Sequence, residues 1–312
     1  MDTTTTIRYR EDGSIQLLEM EVPAPGPGQI QLSGGACGIC SWDIGTVRYG
    51  EKMVPKAPPG HEGMGTVVQV GPGITDFKPG DKVAGGGFAG LRNIPIERAY
   101  KLPESDLADE FWIVEPVSCA VTGLDHCRLK PGDRVAVIGS GFMGLLLIQG
   151  LLNAYVDDLV VMDINQDRLD LAQRLGVGEV YNVGTTDVAE LAPALHARNF
   201  DVVVDTTGSQ PGLDLAGEIV RRGGLINLFG WIKGERASFN PTKWHLGGFS
   251  VVNSSPGARL RDPFPPAINL IHKGVFDLRP LVTHLAPLQE YPTLMNEIVN
   301  GDPTYVKGVI SL

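Results

Sequence analysis

The sequence predicts an α/β protein that combines a strand-rich part with a doubly wound parallel sheet. Three observations lead to this fold class. Short strands separated by Gly- and Pro-containing turns fill the chain up to about residue 100. From about residue 120, apolar strands alternate with helical segments, which is typical of βαβ units with helices on both faces of a sheet. The 312 residues are enough for two domains with buried cores.

The individual elements follow from hydrophobic periodicity and turn residues. In the first part, strands are expected at 30–32, at 66–70, and around Val83 after the turn at 77–82. The middle part predicts strands at 133–138, 159–163, 200–205 and 224–229, and helices at 142–152, 165–175 and 213–220. After Pro-rich turns at 263–266, the pattern predicts helices at 267–273 and 291–300 and a closing strand at 305–312.

Composition excludes several classes of function. A hydrophobic fraction of 43% with 20% charged residues is that of a globular protein. The net charge of −10 gives no support for nucleic-acid binding, and the chain has no apolar run of about 18 residues that would span a membrane. The N-terminus lacks the features of a secretory signal, and four cysteines are too few for a disulfide framework. We therefore expect a cytoplasmic protein with a small-molecule ligand.

A glycine-rich segment marks a nucleotide site. The motif Gly139-Ser140-Gly141-Phe142-Met143-Gly144 follows a predicted strand and opens a predicted helix, and Asp163 ends the next strand. Gly139 allows the tight turn, Gly141 lets the backbone approach a pyrophosphate, and Gly144 allows close packing of helix on strand. Asp163 is suited to accept hydrogen bonds from a ribose. Because a 2′-phosphate would meet a like charge there, NAD is favoured over NADP.

Arg168 follows Asp163 closely in the sequence. Its positive charge could weaken the preference for NAD over NADP. The alternative interpretation is a glycine turn that packs only against itself, and the repeated βαβ units argue against it.

A second group of residues has the chemistry of a metal site. Cys40, His61 and Glu115 offer sulfur, nitrogen and oxygen, and a catalytic zinc uses three such ligands with one open position. Taken singly, each has an ordinary structural explanation: a buried cysteine, a surface turn, and a Glu-Pro that starts a helix. Cys119, four residues after Glu115, is the rival for the third ligand.

These motifs carry a resemblance to a known family. The chain resembles the medium-chain zinc-dependent alcohol dehydrogenases, in particular the sorbitol and threonine dehydrogenase branch. The resemblance runs from about residue 30 to residue 312, and its motifs lie at 37–43, 60–71, 114–118, 130–135 and 205–208.

The resemblance implies a fold and a set of site residues. A discontinuous GroES-like catalytic domain would comprise 1–120 and 256–312, and a Rossmann domain 121–255, with the active site in the cleft. Zinc would be held by Cys40, His61 and Glu115, with Glu62 as an adjacent or exchangeable ligand and Asp43 orienting the ligands. The further cofactor contacts implied are Thr207, Gly208, Phe229 and Gly230. A homodimer or homotetramer is implied as well.

The sequence departs from the family in two ways that concern function. The segment 83–100 lacks the four cysteines of a structural zinc lobe, so at most one zinc is expected. The positions that usually relay the alcohol proton hold Trp42 and Gly45, and an indole N–H cannot accept a proton. Glu62, Thr46, Tyr49 or water could replace that relay. Otherwise Trp42 forms the wall of a repurposed pocket.

The sequence therefore predicts an NAD-linked zinc dehydrogenase that oxidises a secondary alcohol, a polyol or a sugar-like hydroxyl. Two alternatives remain open at this point. One is a zinc-free member of the superfamily that reduces enones or quinones with NADPH. The other is a non-catalytic protein that binds a nucleotide and serves as a binding partner.

Overall fold

The computed structural model describes residues 2–50, 59–231 and 236–312. The chain divides into two compact units. The first, which we call the split unit, comprises Met1–Val117 and Ala267–Leu312. The second, the continuous unit, comprises Ser118–Pro266. The boundaries at 120 and 255 that the sequence suggests stay predictions.

The split unit is built mainly from antiparallel strands. Two of them pair as a hairpin, β1 (Asp2–Tyr9) with β2 (Ile15–Val22). The described residues also form a seven-stranded sheet, in which the order β14-β15-β3-β4-β5-β7 is extended by β6 pairing with β3. The strands of this sheet are β3 (Gln29–Gly38), β4 (Glu62–Val70), β5 (Lys82–Ala84), β6 (Leu91–Pro95), β7 (Tyr100–Lys101), β14 (Val282–Pro287) and β15 (Lys307–Ser311).

Two helices of the split unit complete its core. Helix α1 (Ser41–Tyr49) follows β3 directly, and helix α9 (Tyr291–Val299) follows β14. Apolar side chains of α9 pack with the first strand and the closing strand in one buried cluster. Residues from both ends of the chain thus share one core.

The continuous unit contains a six-stranded parallel sheet among its described residues, in the order β10-β9-β8-β11-β12-β13. Its strands are β8 (Arg134–Ile138), β9 (Asp158–Asp163), β10 (Glu179–Asn182), β11 (Phe200–Asp205), β12 (Val220–Leu228) and β13 (Ser250–Asn253). The helices within this unit are α3 (Phe142–Leu152), α4 (Gln166–Arg174), α5 (Val188–His196), α6 (Gln210–Ile219) and α7 (Pro241–Gly247). Two further helices, α2 (Val114–Cys127) and α8 (Phe264–His272), cross its boundaries along the chain.

The strand order of this sheet indicates where a ligand is expected to bind. The chain proceeds from β8 outward to β10, then returns to place β11 on the other side of β8. This reversal creates a crevice at the carboxyl ends of β8 and β11, where ligands bind in open α/β sheets. The central strands are almost wholly buried because helices cover both faces, which explains their apolar sequences. The predicted fold class is confirmed.

The structure corrects several expected element boundaries. Helix α6 begins three residues earlier than expected, since Ser209 caps it and Pro211 is tolerated in its first turn. Helix α8 likewise starts at Phe264 and includes Pro265 and Pro266, two of the three prolines in the segment 263–266 that was expected to form turns before it. Helix α1 was not expected at all. Among the described residues, no helix is both long and apolar enough to cross a membrane.

Candidate metal centre and nucleotide site

Three potential metal ligands converge in the split unit. The Cys40 sulfur, a ring nitrogen of His61 and a carboxylate oxygen of Glu62 all lie within 4.8 Å of one another. Pairing of β3 with β4 sets Gly38 opposite Glu62 and so brings the two ligand-bearing segments together. Gly60, with a φ of 83°, supplies the left-handed turn immediately before His61. Within the ranges 2–50, 59–231 and 236–312, this is the single such group of three or more side chains.

Exposure changes across this cluster. Glu62 is buried at 2% exposure, Cys40 is half-buried, and His61 is exposed. The donors therefore face solvent on one side and protein on the other. A catalytic metal needs such an arrangement, because one position must stay open for water or substrate.

Lys307 lies beside the cluster and is a residue that the sequence reasoning missed. Its side chain is buried, its ammonium forms an ion pair with Glu62 Oε2, and Nζ donates a hydrogen bond to the Ile39 carbonyl at 2.8 Å. Burial lowers the pKa of Lys307, but the neighbouring Glu62, Tyr305 and Cys40 together outweigh burial, so that the pKa is raised. A lysine at the start of an otherwise apolar closing strand was the signal available in the sequence.

Asp43 fixes the loop that carries Cys40. Its Oδ2 accepts the Cys40 backbone N–H at 2.9 Å, and its Oδ1 accepts the hydroxyl of Tyr9 at 3.0 Å. Burial raises the pKa of Asp43, and the hydrogen bond from Cys40 opposes this shift. Burial also raises the pKa of the Cys40 thiol, and the Glu62 charge adds to this effect. The predicted orienting role of Asp43 thus has a geometric basis.

Other predicted residues of the metal site are not members of the converging group. Glu115 is the second residue of α2, and neither its carboxylate nor the half-buried Cys119 thiol belongs to the converging group. Trp42 lies on α1 with 37% of its surface exposed. The assignment of Glu115 as a ligand and that of Trp42 to the reaction stay predictions.

Two of the suggested proton relays have different environments. Thr46 is fully buried, and its hydroxyl donates to the Trp42 carbonyl at 3.0 Å, one turn back in the same helix. Tyr49, at the end of α1, is 57% exposed. The Thr46 hydroxyl is therefore engaged by the helix backbone.

The glycine motif of the continuous unit has the geometry of a phosphate-binding loop. Gly139 has a φ of 98°, which side-chain-bearing residues rarely adopt. A Cβ added at Gly144 would collide with the Gly139 carbonyl, so the third glycine allows close packing. A Cβ at Gly141 would meet only Arg168 Nη1, at 3.8 Å, so the second glycine borders open space. Helix α3 begins at Phe142, directly after that space.

Asp163 is bonded to this loop. Its Oδ2 accepts the Ser140 backbone N–H at 2.5 Å and the Ser140 hydroxyl at 3.0 Å, while Oδ1 accepts the Asn165 N–H at 2.9 Å. A carboxylate has about four acceptor sites, so these three bonds leave one for a ligand. Asp163 therefore shapes the loop, and its role at a ribose stays a prediction.

The other predicted cofactor residues follow β11 and β12 at the same edge of the sheet. The Asp205 carbonyl accepts the N–H groups of Phe229 at 2.9 Å and Gly230 at 2.8 Å. The Asp205 carboxylate accepts the Thr207 hydroxyl at 2.7 Å, and burial raises the pKa of this carboxyl. Gly208 follows with a φ of 58°. These bonds tie the two loops together beside the glycine motif.

Comparison with known proteins defines the class to which this chain belongs. Residues 26–104 match the model of the alcohol dehydrogenase GroES-like domain, and residues 143–273 match that of zinc-binding dehydrogenases. An alcohol dehydrogenase of Moraxella sp. (strain TAE123) is 30% identical over 79% of this chain and 82% of its own length. The chain belongs to the zinc-type medium-chain alcohol dehydrogenase family, as the sequence motifs predict.

Two further relatives have named substrates. The (R,R)-butanediol dehydrogenase of Bacillus subtilis (strain 168) is 27% identical over 88% of this chain and 90% of its own length. The sorbitol dehydrogenase of Gallus gallus is 27% identical over 89% of this chain and 88% of its own length. A crystal structure of 2R,3R-butanediol dehydrogenase from Bacillus subtilis superposes with a TM-score of 0.89, at 25% identity, over 99% of both chains. The protein is an oxidoreductase that transfers a hydride between an alcohol and a carbonyl compound.

Proposed function

We propose that this chain is a zinc-dependent, NAD-linked dehydrogenase of secondary alcohols or polyols. The observation that carries the proposal is the convergence of Cys40, His61 and Glu62. Sulfur, nitrogen and oxygen donors within 4.8 Å of one another fit zinc, which binds all three atom types. The exposed side of the cluster leaves room for a substrate oxygen.

A zinc ion held there supplies Lewis acidity, which polarises the substrate oxygen and lowers the pKa of an alcohol. The residues of the chain prepare the site for this chemistry. Asp43 fixes the Cys40 loop through the backbone N–H, and Lys307 compensates the charge of the buried Glu62. His61 lies at the open side of the group.

Two carboxylates, those of Glu62 and Glu115, are candidates for the oxygen ligand of the zinc. Glu62 already belongs to the converging group, whereas Glu115 is the position that the family resemblance favours. The variants Glu62→Gln and Glu115→Gln separate the two, because loss of a true ligand lowers zinc retention far more than loss of a neighbour.

The proposed cofactor is NAD. Backbone N–H groups at the start of α3 are suited to a pyrophosphate, and the open space at Gly141 supports its close approach. Asp163 places a negative charge where a 2′-phosphate would bind, while Arg168 beside the loop favours phosphate generally. Thr207, Gly208, Phe229 and Gly230 are proposed to contact the same cofactor.

The proposed substrate class rests on the relatives, of which two act on butanediol and sorbitol by name. With Trp42 and Gly45 at the usual relay positions, we propose that the alcohol proton leaves through water or a carboxylate rather than a hydroxyl–imidazole chain. Trp42 is then a wall of the substrate pocket. Its exposed indole suits an apolar or stacking contact.

Assembly and location complete the proposal. We expect a homodimer or homotetramer, with β13 as an edge strand that exposes Val251. The four cysteines form no disulfide with one another, which supports a reducing compartment such as the cytoplasm. The domain boundaries near residues 120 and 255 belong to the same proposal.

The deciding experiment measures metal content by elemental analysis of protein purified without chelators. We expect one zinc per chain in the wild type and its loss in Cys40→Ala. The matched control is Cys119→Ala, which removes another half-buried thiol that forms no disulfide and should leave zinc unchanged. Loss of zinc in the control instead would make Cys119 a ligand.

Activity assays then separate the alternatives. Oxidation of secondary alcohols or polyols with NAD, and weaker activity with NADP, supports the proposal. A wild type without zinc that reduces enones with NADPH would establish the zinc-free reductase. Tight NAD binding without turnover across an alcohol panel would establish a binding protein.

A further inference from the structure

A chain of buried hydroxyl groups leads from helix α9 to the loop that carries Cys40. The Tyr291 hydroxyl lies 2.5 Å from the Tyr9 hydroxyl, which lies 3.0 Å from Asp43 Oδ1. Asp43 Oδ2 then accepts the Cys40 N–H at 2.9 Å. Tyr9 belongs to the first strand, so the two ends of the chain meet at this point.

The direction of these hydrogen bonds follows from the number of hydrogens that each group can donate. An ionised carboxylate only accepts, so the single hydroxyl hydrogen of Tyr9 is donated to Asp43. Tyr9 then has no hydrogen left for Tyr291, and the Tyr291 hydroxyl must donate to Tyr9. The bonds thus run one way, from Tyr291 through Tyr9 to Asp43, and bonds in such chains strengthen one another.

Tyr291 also supports the segment that carries His61. Its ring packs against Phe88 with a centroid distance of 4.8 Å. The Phe88 backbone N–H donates to the Pro59 carbonyl at 3.2 Å, two residues before His61. One side chain of α9 therefore contacts the supports of both Cys40 and His61.

The hydroxyls are not needed for packing. Tyr9, Phe88 and Tyr291 are buried in one apolar cluster, where phenylalanine would fill nearly the same volume. A buried hydroxyl costs free energy unless it is hydrogen-bonded, so its presence in this core calls for a polar partner. That partner is Asp43, whose other oxygen holds the Cys40 loop.

We infer that Tyr9 and Tyr291 are positioning residues of the metal centre. Through Asp43 they fix the place of Cys40, and through Phe88 the place of His61, so that the three donors stay converged. The inference rests on the proposed function for the identity of the metal as zinc. Groups behind the ligands of metal sites typically contribute about 10–100-fold to metal affinity.

The test compares Tyr9→Phe, Tyr291→Phe and the double variant with the wild type. Two quantities are measured on protein without cofactor or substrate: the zinc dissociation constant by chelator competition, and the visible absorption of the Co²⁺-substituted protein. Tyr9→Phe is expected to weaken zinc binding by about 10-fold or more and to change the cobalt spectrum. Tyr181→Phe is the control, because it removes a half-buried hydroxyl bonded to Glu179 in the continuous unit.

The one-way chain makes a sharper prediction for the second tyrosine. Tyr291→Phe leaves the bond from Tyr9 to Asp43 in place, so its effect on zinc affinity should be smaller. Once the Tyr9 hydroxyl is gone, removing that of Tyr291 should change zinc affinity no further. Additive effects of the two substitutions would contradict a chain that acts through Asp43.

The outcomes separate this inference from the proposed function. A wild type that binds no zinc defeats the proposed function. Wild-type zinc binding that Tyr9→Phe leaves unaltered in affinity and cobalt spectrum, even at a lowered melting temperature, defeats the inference alone. If Tyr9→Phe does not fold, Tyr291→Phe decides, since unchanged zinc affinity and an unchanged cobalt spectrum there overturn the role of the hydroxyl chain.

Discussion

The proposed metal centre and the proposed nucleotide loop are built in opposite ways. The nucleotide loop is a short continuous segment whose backbone and glycines make the site, with Asp163 bonded to it from the next strand. The metal centre is made of side chains, and its supports come from residues near both ends of the chain. Substitution of buried polar groups should therefore have its largest effect at the metal centre. At the loop, substitutions that fill space should have the larger effect.

The largest expected effect is on stability at the metal centre. Lys307→Met leaves the buried Glu62 charge without its partner, which should destabilise the metal-free protein by about 3–5 kcal/mol. Urea unfolding of the metal-free protein measures this loss. The control is Lys243→Met, which breaks a surface ion pair with Glu218 and should cost less than about 1 kcal/mol.

A second substitution checks the cause of the effect. Glu62→Gln in the Lys307→Met background removes the unpaired charge and should recover most of the lost stability. Equal losses in Lys307→Met and Lys243→Met would show that the buried pair is no more important than a surface one, and the contrast between the two regions would fail.

An intermediate effect is expected at the nucleotide loop, on binding rather than on stability. Gly141→Ala adds a methyl group into open space, so the fold should keep its stability. The same methyl group occupies the space that a pyrophosphate needs, and NAD affinity should fall about tenfold or more, or at least 1.4 kcal/mol. Calorimetric titration with NAD measures the affinity.

Gly178→Ala is the matched control for this change. It lies in the same unit, and a Cβ there would meet nothing within 4 Å. NAD affinity should stay at the wild-type value. Unchanged affinity in Gly141→Ala as well would mean that the cofactor does not approach this glycine.

The smallest effect is expected at the surface of the continuous unit. Arg198 forms ion pairs with Glu179 and Asp158. The hydrogen bond from Arg198 is the largest cause that lowers the pKa of Glu179, and the hydrogen bond from Tyr181 is the second. A carboxyl group whose pKa is lower in the folded than in the unfolded protein stabilises the fold at pH values above its unfolded pKa, which is about 4.3 for Glu. This stabilisation is lost as the pH falls through the pKa of the folded state. Arg198→Met should therefore cost under about 1 kcal/mol at pH 7.

The pH dependence identifies the source of that small effect. The difference between Arg198→Met and the wild type should shrink as the pH drops below about 4, where Glu179 becomes protonated in both proteins. A difference that stays constant with pH in urea unfolding would assign the effect to packing of the arginine stem instead.

The two regions also differ in how well the sequence predicts them. The sequence predicted the bounds of helix α3 and strand β11 beside the glycine motif to the residue. This was possible because the nucleotide loop is a local feature and its chemistry lies in the backbone. Cys40, His61 and Glu62 were recognisable as ligand types. Helix α1 was missed because the residues it buries are Asp43, Gly45 and Thr46, which give no apolar periodicity.

Asp43 was predicted to orient the ligands, but two other supports of the proposed metal centre, Tyr9 and Lys307, were not predicted, for a physical reason. The residues around Tyr9 do not distinguish it from an ordinary core tyrosine, and the apolar strand that Lys307 opens hints at burial of the lysine without naming its partner. Their roles arise from contacts across 282 and 268 residues, which depend on the pairing of strands and the packing of α9. A single sequence carries no record of such pairings.

The ion pair between Lys307 and Glu62 has a consequence for the order of folding. Synthesis delivers Cys40, His61 and Glu62 early, whereas the compensating ammonium arrives only with the closing strand. The pair between Glu62 and Lys307 closes a long loop of the chain, and the entropic cost of closing that loop precedes any favourable contact. The proposed metal centre should therefore form last. A chain arrested before β15 would hold the proposed ligand side chains without the ammonium that compensates the Glu62 charge.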